Sequence, residues 1–280
     1  MNPFFRSLAF VLQITICISA GAAITDFDQW TLVEDPGHQG FNGSASAESA
    51  NFTVGNFDIP AGTDIGFQSV NGSSLDNSTS GFYFDPSSDF KLAIDFAWSF
   101  SNSPTGLLGL GFGIGEDGDG KNSAGVVIGS NNGNPFPSFG GAARTGDKDD
   151  ETQFLVPSAN SPTQGSMFVE FESATGNISL SASTVQGAAS GSEIGTFLGI
   201  QKGWAGDKLM TSFFVRSDEP PLLFSNWKGG NANAVFSNFR VLIGSPVAIP
   251  EPTGMGFLSA LAVFVTATGR RNRKLSRHCR

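Results

Sequence analysis

Lys91-Leu-Ala-Ile-Asp-Phe-Ala-Trp-Ser-Phe100 is the stretch that decides the fold class. Leu92, Ile94, Phe96, Trp98 and Phe100 fall at alternate positions, with Ala93, Asp95, Ala97 and Ser99 between them. A period of two belongs to a strand with one face on a core and the other small and polar.

Outward from this segment the same period returns. Met167, Val169 and Phe171 alternate with Phe168, Glu170 and Glu172. Ile178, Leu180 and Ala182 form a second inward set, and Leu209, Thr211, Phe213 and Val215 a third. Near the end of the domain, Val235, Phe239, Val241 and Ile243 are expected to point inward. Shorter apolar runs lie at 52–54, 65–70, 81–84, 107–114, 124–128, 152–156, 196–200 and 222–226. Asn-Gly, Asp-Gly, Gly-Asn and Pro-Ser turns separate them, and no long stretch holds a 3.6-residue period. The chain's 36 glycines and 14 prolines suit short strands and turns. About a dozen such strands predict an all-β, two-sheet antiparallel sandwich of the jelly-roll kind over residues 24–245.

Charge excludes one class of partner. All 25 acidic residues lie between Asp26 and Glu251, and nine of the 16 basic ones share that span, a net −16. Nucleic-acid binding needs a basic face, so none is expected. The two cysteines, Cys17 and Cys279, sit near the two ends, and the domain between holds one histidine, His38. No disulfide and no Cys/His zinc site follow from that inventory. A Ser-His-Asp triad would have to use His38, which lies in the turn-rich Glu34-Asp-Pro-Gly-His-Gln-Gly40 and reads as a solvated loop residue.

Both ends read as addresses. Residues 1–23 have the form of a secretory signal for signal peptidase: Arg6, an apolar Leu8–Ala20 stretch, then Ala20-Gly-Ala-Ala23. At the other end, segment 246–280 contains Pro250-Glu-Pro252, an uncharged run of 17 residues at 253–269, and a basic tail at 270–280. That run is the lower limit for a membrane-spanning helix. Arg270, Arg271, Arg273 and Lys274 set its orientation, because Lys and Arg stay cytoplasmic. The two prolines hold the preceding chain extended.

This order resembles the PEP-CTERM sorting signal of Gram-negative bacteria that make exopolysaccharide. Pro250, Glu251 and Pro252 match its triplet, and Ile249 stands where Val is usual. The resemblance covers about the last 34 residues. It implies recognition by an exosortase, a membrane-embedded transpeptidase with a cysteine nucleophile. It also implies passage through the inner membrane and delivery to the cell surface or beyond. Asn42, Asn51, Asn71, Asn77 and Asn177 each begin an Asn-x-Ser/Thr sequon, which in such a bacterium is a product of Asn- and Ser-rich loops.

The centre resembles concanavalin A-like (lectin or laminin-G) jelly rolls. The resemblance rests on Leu209-Met-Thr-Ser-Phe-Phe-Val-Arg216, Trp227-Lys-Gly-Gly230 and Ala234-Val-Phe-Ser-Asn-Phe-Arg-Val241. It implies a structural module, a sugar binder or a glycosidase. For a lectin, Trp204 and Trp227 stand beside glycines where exposure is expected, and sugar rings stack on such indoles. Asp117 and Asp119 are spaced like the first ligands of a calcium loop, but Lys121 and Ile128 stand where further ligands belong. The acidic run Asp147-Lys-Asp-Asp-Glu151 reads as hydrated. For a hydrolase, Glu170 and Glu172 share one strand face, but jelly-roll glycosidases carry a Glu-x-Asp-x-x-Glu pattern that Thr175 fails to complete. The expectation is an exported envelope or matrix protein with no cofactor beyond calcium. It acts as a structural or adhesive sandwich, with exopolysaccharide as the candidate ligand; a polysaccharide hydrolase is the enzymatic alternative.

Overall fold

The computed structural model describes residues 26–34, 39–116, 121–146, 154–157, 162–217 and 227–249. Residues 1–23, His38, Asp117, Asp119, the 147–151 run, the 222–226 run, Pro250-Glu-Pro252 and residues 270–280 lie outside the described residues.

A one-turn 3-10 helix at Phe27–Gln29 leads into the strands. They are β1 (Thr31–Glu34), β2 (Phe41–Ala45), β3 (Ser49–Val54), β4 (Asp58–Ile59), β5 (Asp64–Gln68) and β6 (Phe82–Tyr83). Then come β7 (Phe90–Ser101), β8 (Leu107–Gly115), β9 (Ser123–Asn131), β10 (Asn134–Pro135), β11 (Ser138–Arg144) and β12 (Phe154–Pro157). The rest are β13 (Gln164–Glu172), β14 (Asn177–Ser183), β15 (Ser192–Phe197), β16 (Met210–Arg216), β17 (Trp227–Lys228), β18 (Asn231–Ile243) and β19 (Val247–Ala248).

Two large antiparallel sheets form a sandwich, as the alternation predicts. One has eight strands in the order β1-β5-β16-β8-β9-β11-β12, with β10 paired to β9. The other has seven, β15-β14-β13-β7-β18-β3-β2. Two small ribbons, β17-β4 and β19-β6, close the ends. Among the described residues no helix is long and apolar enough to cross a membrane.

Aromatic rings join the sheets. Phe52 of β3 meets Phe67 of β5 at 5.5 Å, Phe213 of β16 meets Phe236 of β18 at 4.8 Å, and Phe96 of β7 meets Phe139 of β11 at 6.0 Å. Each such pair adds about 0.5–1.5 kcal/mol beyond the burial itself. Strand β8 turns Leu108, Leu110, Phe112 and Ile114 inward and four glycines outward, yet all nine of its residues are buried. On the outward side the ring of Phe214 lies against Gly111, in the space a Cβ would need.

Three sequence expectations change. In β18 the inward residues are Ala232, Ala234, Phe236 and Phe239, while Val235 turns outward and Ile243 is exposed. Two bulges cause this: Ser237 pairs with Asp95 and Arg240 with Ala93, so β18 uses three steps where β7 uses two, and Val241 pairs with Leu92 but Ile243 with Lys91, a second extra step. Asn238 sits at the first bulge with φ 51°, a conformation that Asn tolerates better than most residues. The second change is on the other face of β7. Ala93, Asp95 and Phe168 point away from the sandwich core but are buried. The link from β14 to β15, residues 184–191, crosses that face as a strap. The third is the end of the domain. Val247–Ala248, placed after the domain by the sequence reading, pairs with Phe82–Tyr83. Ile249 donates its N–H to Gly81 O at 2.8 Å and packs beside Val70, Leu75 and Met210, so the folded unit reaches Ile249.

Candidate functional site

The outer face of the seven-stranded sheet divides into two halves. Under the strap, Asp95 is 4% exposed and accepts four hydrogen bonds. Ser166 Oγ and Arg240 Nη2 donate to Oδ1 at 2.5 and 3.0 Å. Gly187 N and Asn238 Nδ2 donate to Oδ2, each at 2.8 Å. Arg240 Nη1 also reaches Ala188 O at 2.8 Å, and Gln186 Nε2 reaches Phe96 O at 3.0 Å. A buried carboxylate held this way is a structural anchor: its charge is met by one guanidinium and every oxygen is occupied.

The other half is open. Strands β2, β3, β18 and β7 place Asn42, Thr53, Asn233 and Ser99 side by side in one row. In the next row Asn231 pairs with Ser101, while just beyond the ends of β3 and β2 Gly55 N–H donates to Gly40 O at 2.8 Å. These residues line a cleft of about 430 Å³, a size within the usual range of ligand sites. The six polar side chains make no hydrogen bond to another described residue. Among the described residues no charged side chain lines the cleft.

Phe57 walls one end. Its ring lies over Gly40 and Gly55, where a Cβ on either would come within 2.9 and 3.2 Å of it, and it stays 52% exposed. Gly40 has φ +97°, a backbone that favours glycine, so the seat under the ring depends on that residue type.

The sequence-based sugar contacts are corrected here. Trp227 is fully buried and donates from Nε1 to Gly55 O at 3.3 Å. Trp204 is 6% exposed and donates from Nε1 to Arg144 O at 3.1 Å. Glycines beside both had suggested open turns, but each indole fills the core and uses its one donor on a carbonyl. Trp227 instead supports the turn that carries Phe57.

The carboxylates weighed for hydrolysis have partners. Glu170 Oε2 lies 2.7 Å from Lys91 Nζ. Glu172 accepts from Thr175 Oγ1 and, at 3.1 Å, from Asn177 Nδ2. Beside the acidic loops, Glu116 accepts the backbone N–H groups of Ala205 and Gly206 and the side-chain amide of Asn122. Asn122 Oδ1 accepts Gly146 N–H at 2.7 Å, which ties the roots of the 117–120 and 147–151 segments together. Among the described residues no group of three or more His, Cys, Asp or Glu is placed to hold a metal ion.

Two surface carboxyls, Asp89 and Asp85, are held below the usual carboxylate range. The Ser173 hydroxyl, then its backbone N–H, holds Asp89 below the usual range. The hydroxyl and N–H of Ser87 do the same for Asp85.

No protein-family model and no curated protein sequence matches the chain. Among solved structures it is similar to a Saccharomyces cerevisiae protein described as functionally unknown, with 12% identity, TM-score 0.47, and 80% of this chain and 100% of that one covered. It is also similar to a Bacteroides ovatus mixed-linkage glucan GH16 enzyme, with 12% identity, TM-score 0.46, and 79% and 98% covered. Peanut lectin aligns with 12% identity, TM-score 0.39, and 76% and 92% covered. At this level the likeness concerns β-sandwich architecture and carries no activity.

Proposed function

We propose that this is an exported envelope or matrix protein whose sandwich associates with polysaccharide without cleaving it. Export and sorting rest on the residue 1–23 signal and on Pro250-Glu-Pro252 with its apolar run and basic tail. The observation that carries the binding reading is the open cleft. Unpartnered amide and hydroxyl groups gathered on one sheet face offer donors and acceptors to a hydroxyl-rich ligand. Binding is favoured over hydrolysis because Glu170 and Glu172 are held by Lys91, Thr175 and Asn177. Two facing carboxyls roughly 5–5.5 Å apart are what retaining hydrolysis needs.

The test is retention of the full-length chain, in detergent, on the exopolysaccharide of its own host, with and without a calcium chelator. Retention with no release of reducing sugar is the expected result. Release of reducing sugar would replace the reading with the hydrolase. Loss of retention on chelation would return the weight to Asp117 and Asp119. No retention in either condition would leave a sorted structural domain.

A further inference from the structure

We infer that the cleft takes an uncharged glycan chain, with Phe57 as the stacking residue at one end; this rests on the polysaccharide reading above. Three observations carry it.

The first is the charge of the walls. The protein has 25 acidic and 16 basic residues, yet among the described residues none of them lines the cleft. A uronate or sulfate group docked there would lose water and meet no cation, and an amino sugar would meet no carboxylate. The net negative domain adds long-range repulsion against any polyanion. A neutral sugar loses nothing of that kind.

The second is the capacity of the lining. Asn42, Asn231, Asn233, Thr53, Ser99 and Ser101 each both donate and accept, as sugar hydroxyls do. Because none is used within the fold, none has to break a bond to receive a ligand. Four strands at a spacing of about 4.8 Å spread these groups over roughly 14 Å. That accommodates several rings of a chain rather than one monosaccharide.

The third is Phe57. The Phe57 ring buries one face on backbone and leaves about half of its surface to solvent at the end of the cleft. Here Gly40 and Gly55 remove the side chains that would lift the ring. Trp227 pins the Gly55 carbonyl from inside, and Gly229 N–H reaches Phe57 O at 3.3 Å. The ring's exposed surface beside Asn231 and Ser101 meets the apolar C–H face of a sugar while the amides take its hydroxyls. Trp227 is thus a positioning residue.

The experiment is affinity electrophoresis of the full-length chain, in detergent, through gels containing hydroxyethylcellulose, a neutral galactan, or polygalacturonate. Phe57→Ala and the double variant Asn231→Ala/Asn233→Ala are run alongside, each checked for an unchanged melting temperature. Retardation by a neutral polymer, weakened about tenfold by Phe57→Ala, supports the assignment; tenfold corresponds to about 1.4 kcal/mol. Retardation that neither variant weakens overturns the cleft and leaves polysaccharide association standing. Preference for polygalacturonate overturns the uncharged class. Absence of retardation by all three, with retention on host exopolysaccharide that both variants preserve, also overturns the cleft. Absence of both kinds of binding removes the underlying reading as well.

Discussion

Asp95 shows how a single residue fixes a surface. Its carboxylate is the point at which the strap, the first β18 bulge and strand β13 are tied to β7. Asp95→Ala leaves Arg240 facing a buried gap, and a cost of about 3 kcal/mol is expected in urea unfolding. Replacing both partners by apolar residues, Asp95→Leu with Arg240→Met, should cost less than Asp95→Ala alone, because no charge is stranded. Asp89 gives the pH-dependent counterpart. Ser173 depresses its carboxyl in the folded state, so the folded form binds its proton less readily than the unfolded chain. The stabilisation is therefore complete above the ordinary carboxylate value of about 3.9 and is lost as pH falls through the depressed one. The stability gap between the natural chain and Asp89→Asn should be full at neutral pH and close on strong acidification, read from denaturant curves across that range.

At the scale of elements, the two central strands show why some of the fold was legible and some was not. Strand β7 is regular, so Leu92, Ile94, Phe96 and Trp98 announced their face by alternation alone. Strand β18 carries an extra residue at Asn238 and another between Val241 and Ile243, and a period-two reading that started from Phe239 assigned the wrong parity to Val235 and Ile243. Nothing local marks those shifts, because they are set by pairing with β7. Asn238→Val should lose about 1–2 kcal/mol for the left-handed backbone, in addition to its hydrogen bond to Asp95, and Asn238→Gly should lose less. On the eight-stranded sheet, Gly111→Ala must displace the Phe214 ring, and a melting-temperature drop equivalent to about 1–3 kcal/mol is expected.

At the scale of the molecule, the sandwich was readable because many strands repeat one period, and a global pattern survives local errors. The cleft was not. Asn42, Thr53, Ser99 and Asn233 are ordinary outward positions on strands far apart in sequence, and only the register brings them into one row. The signal that existed was Phe57 between Gly55 and the β4 turn, an aromatic outside any alternating run. Trp204 and Trp227 drew the eye instead, since glycine neighbours resemble exposed turns, whereas the rings are core. The described sandwich contains no cysteine, so its cohesion rests on stacked Phe and Trp side chains. Excess dithiothreitol should leave its thermal midpoint unchanged, and a downward shift in a calorimetric scan would contradict this account.

The short ribbon of Val247–Ala248 on Phe82–Tyr83 has a mechanical meaning. Under the sorting reading, the chain beyond Ile249 is at some stage held at a membrane while the sandwich is outside. Tension along that tether reaches the fold first through two paired residues and the Ile249 N–H bond. It reaches the thirteen-residue β18, paired with β7 from Asn231 to Ile243 and with β3 over Ala232–Ser237, only afterwards. The ribbon is the weak link in series with a strong one. Its rupture would pay out about 16 Å of slack from residues 245–249 at roughly 3.3 Å each and leave the core closed. It would re-anneal once the load falls, so the anchorage acts as a resettable fuse between the cell and whatever the sandwich grips.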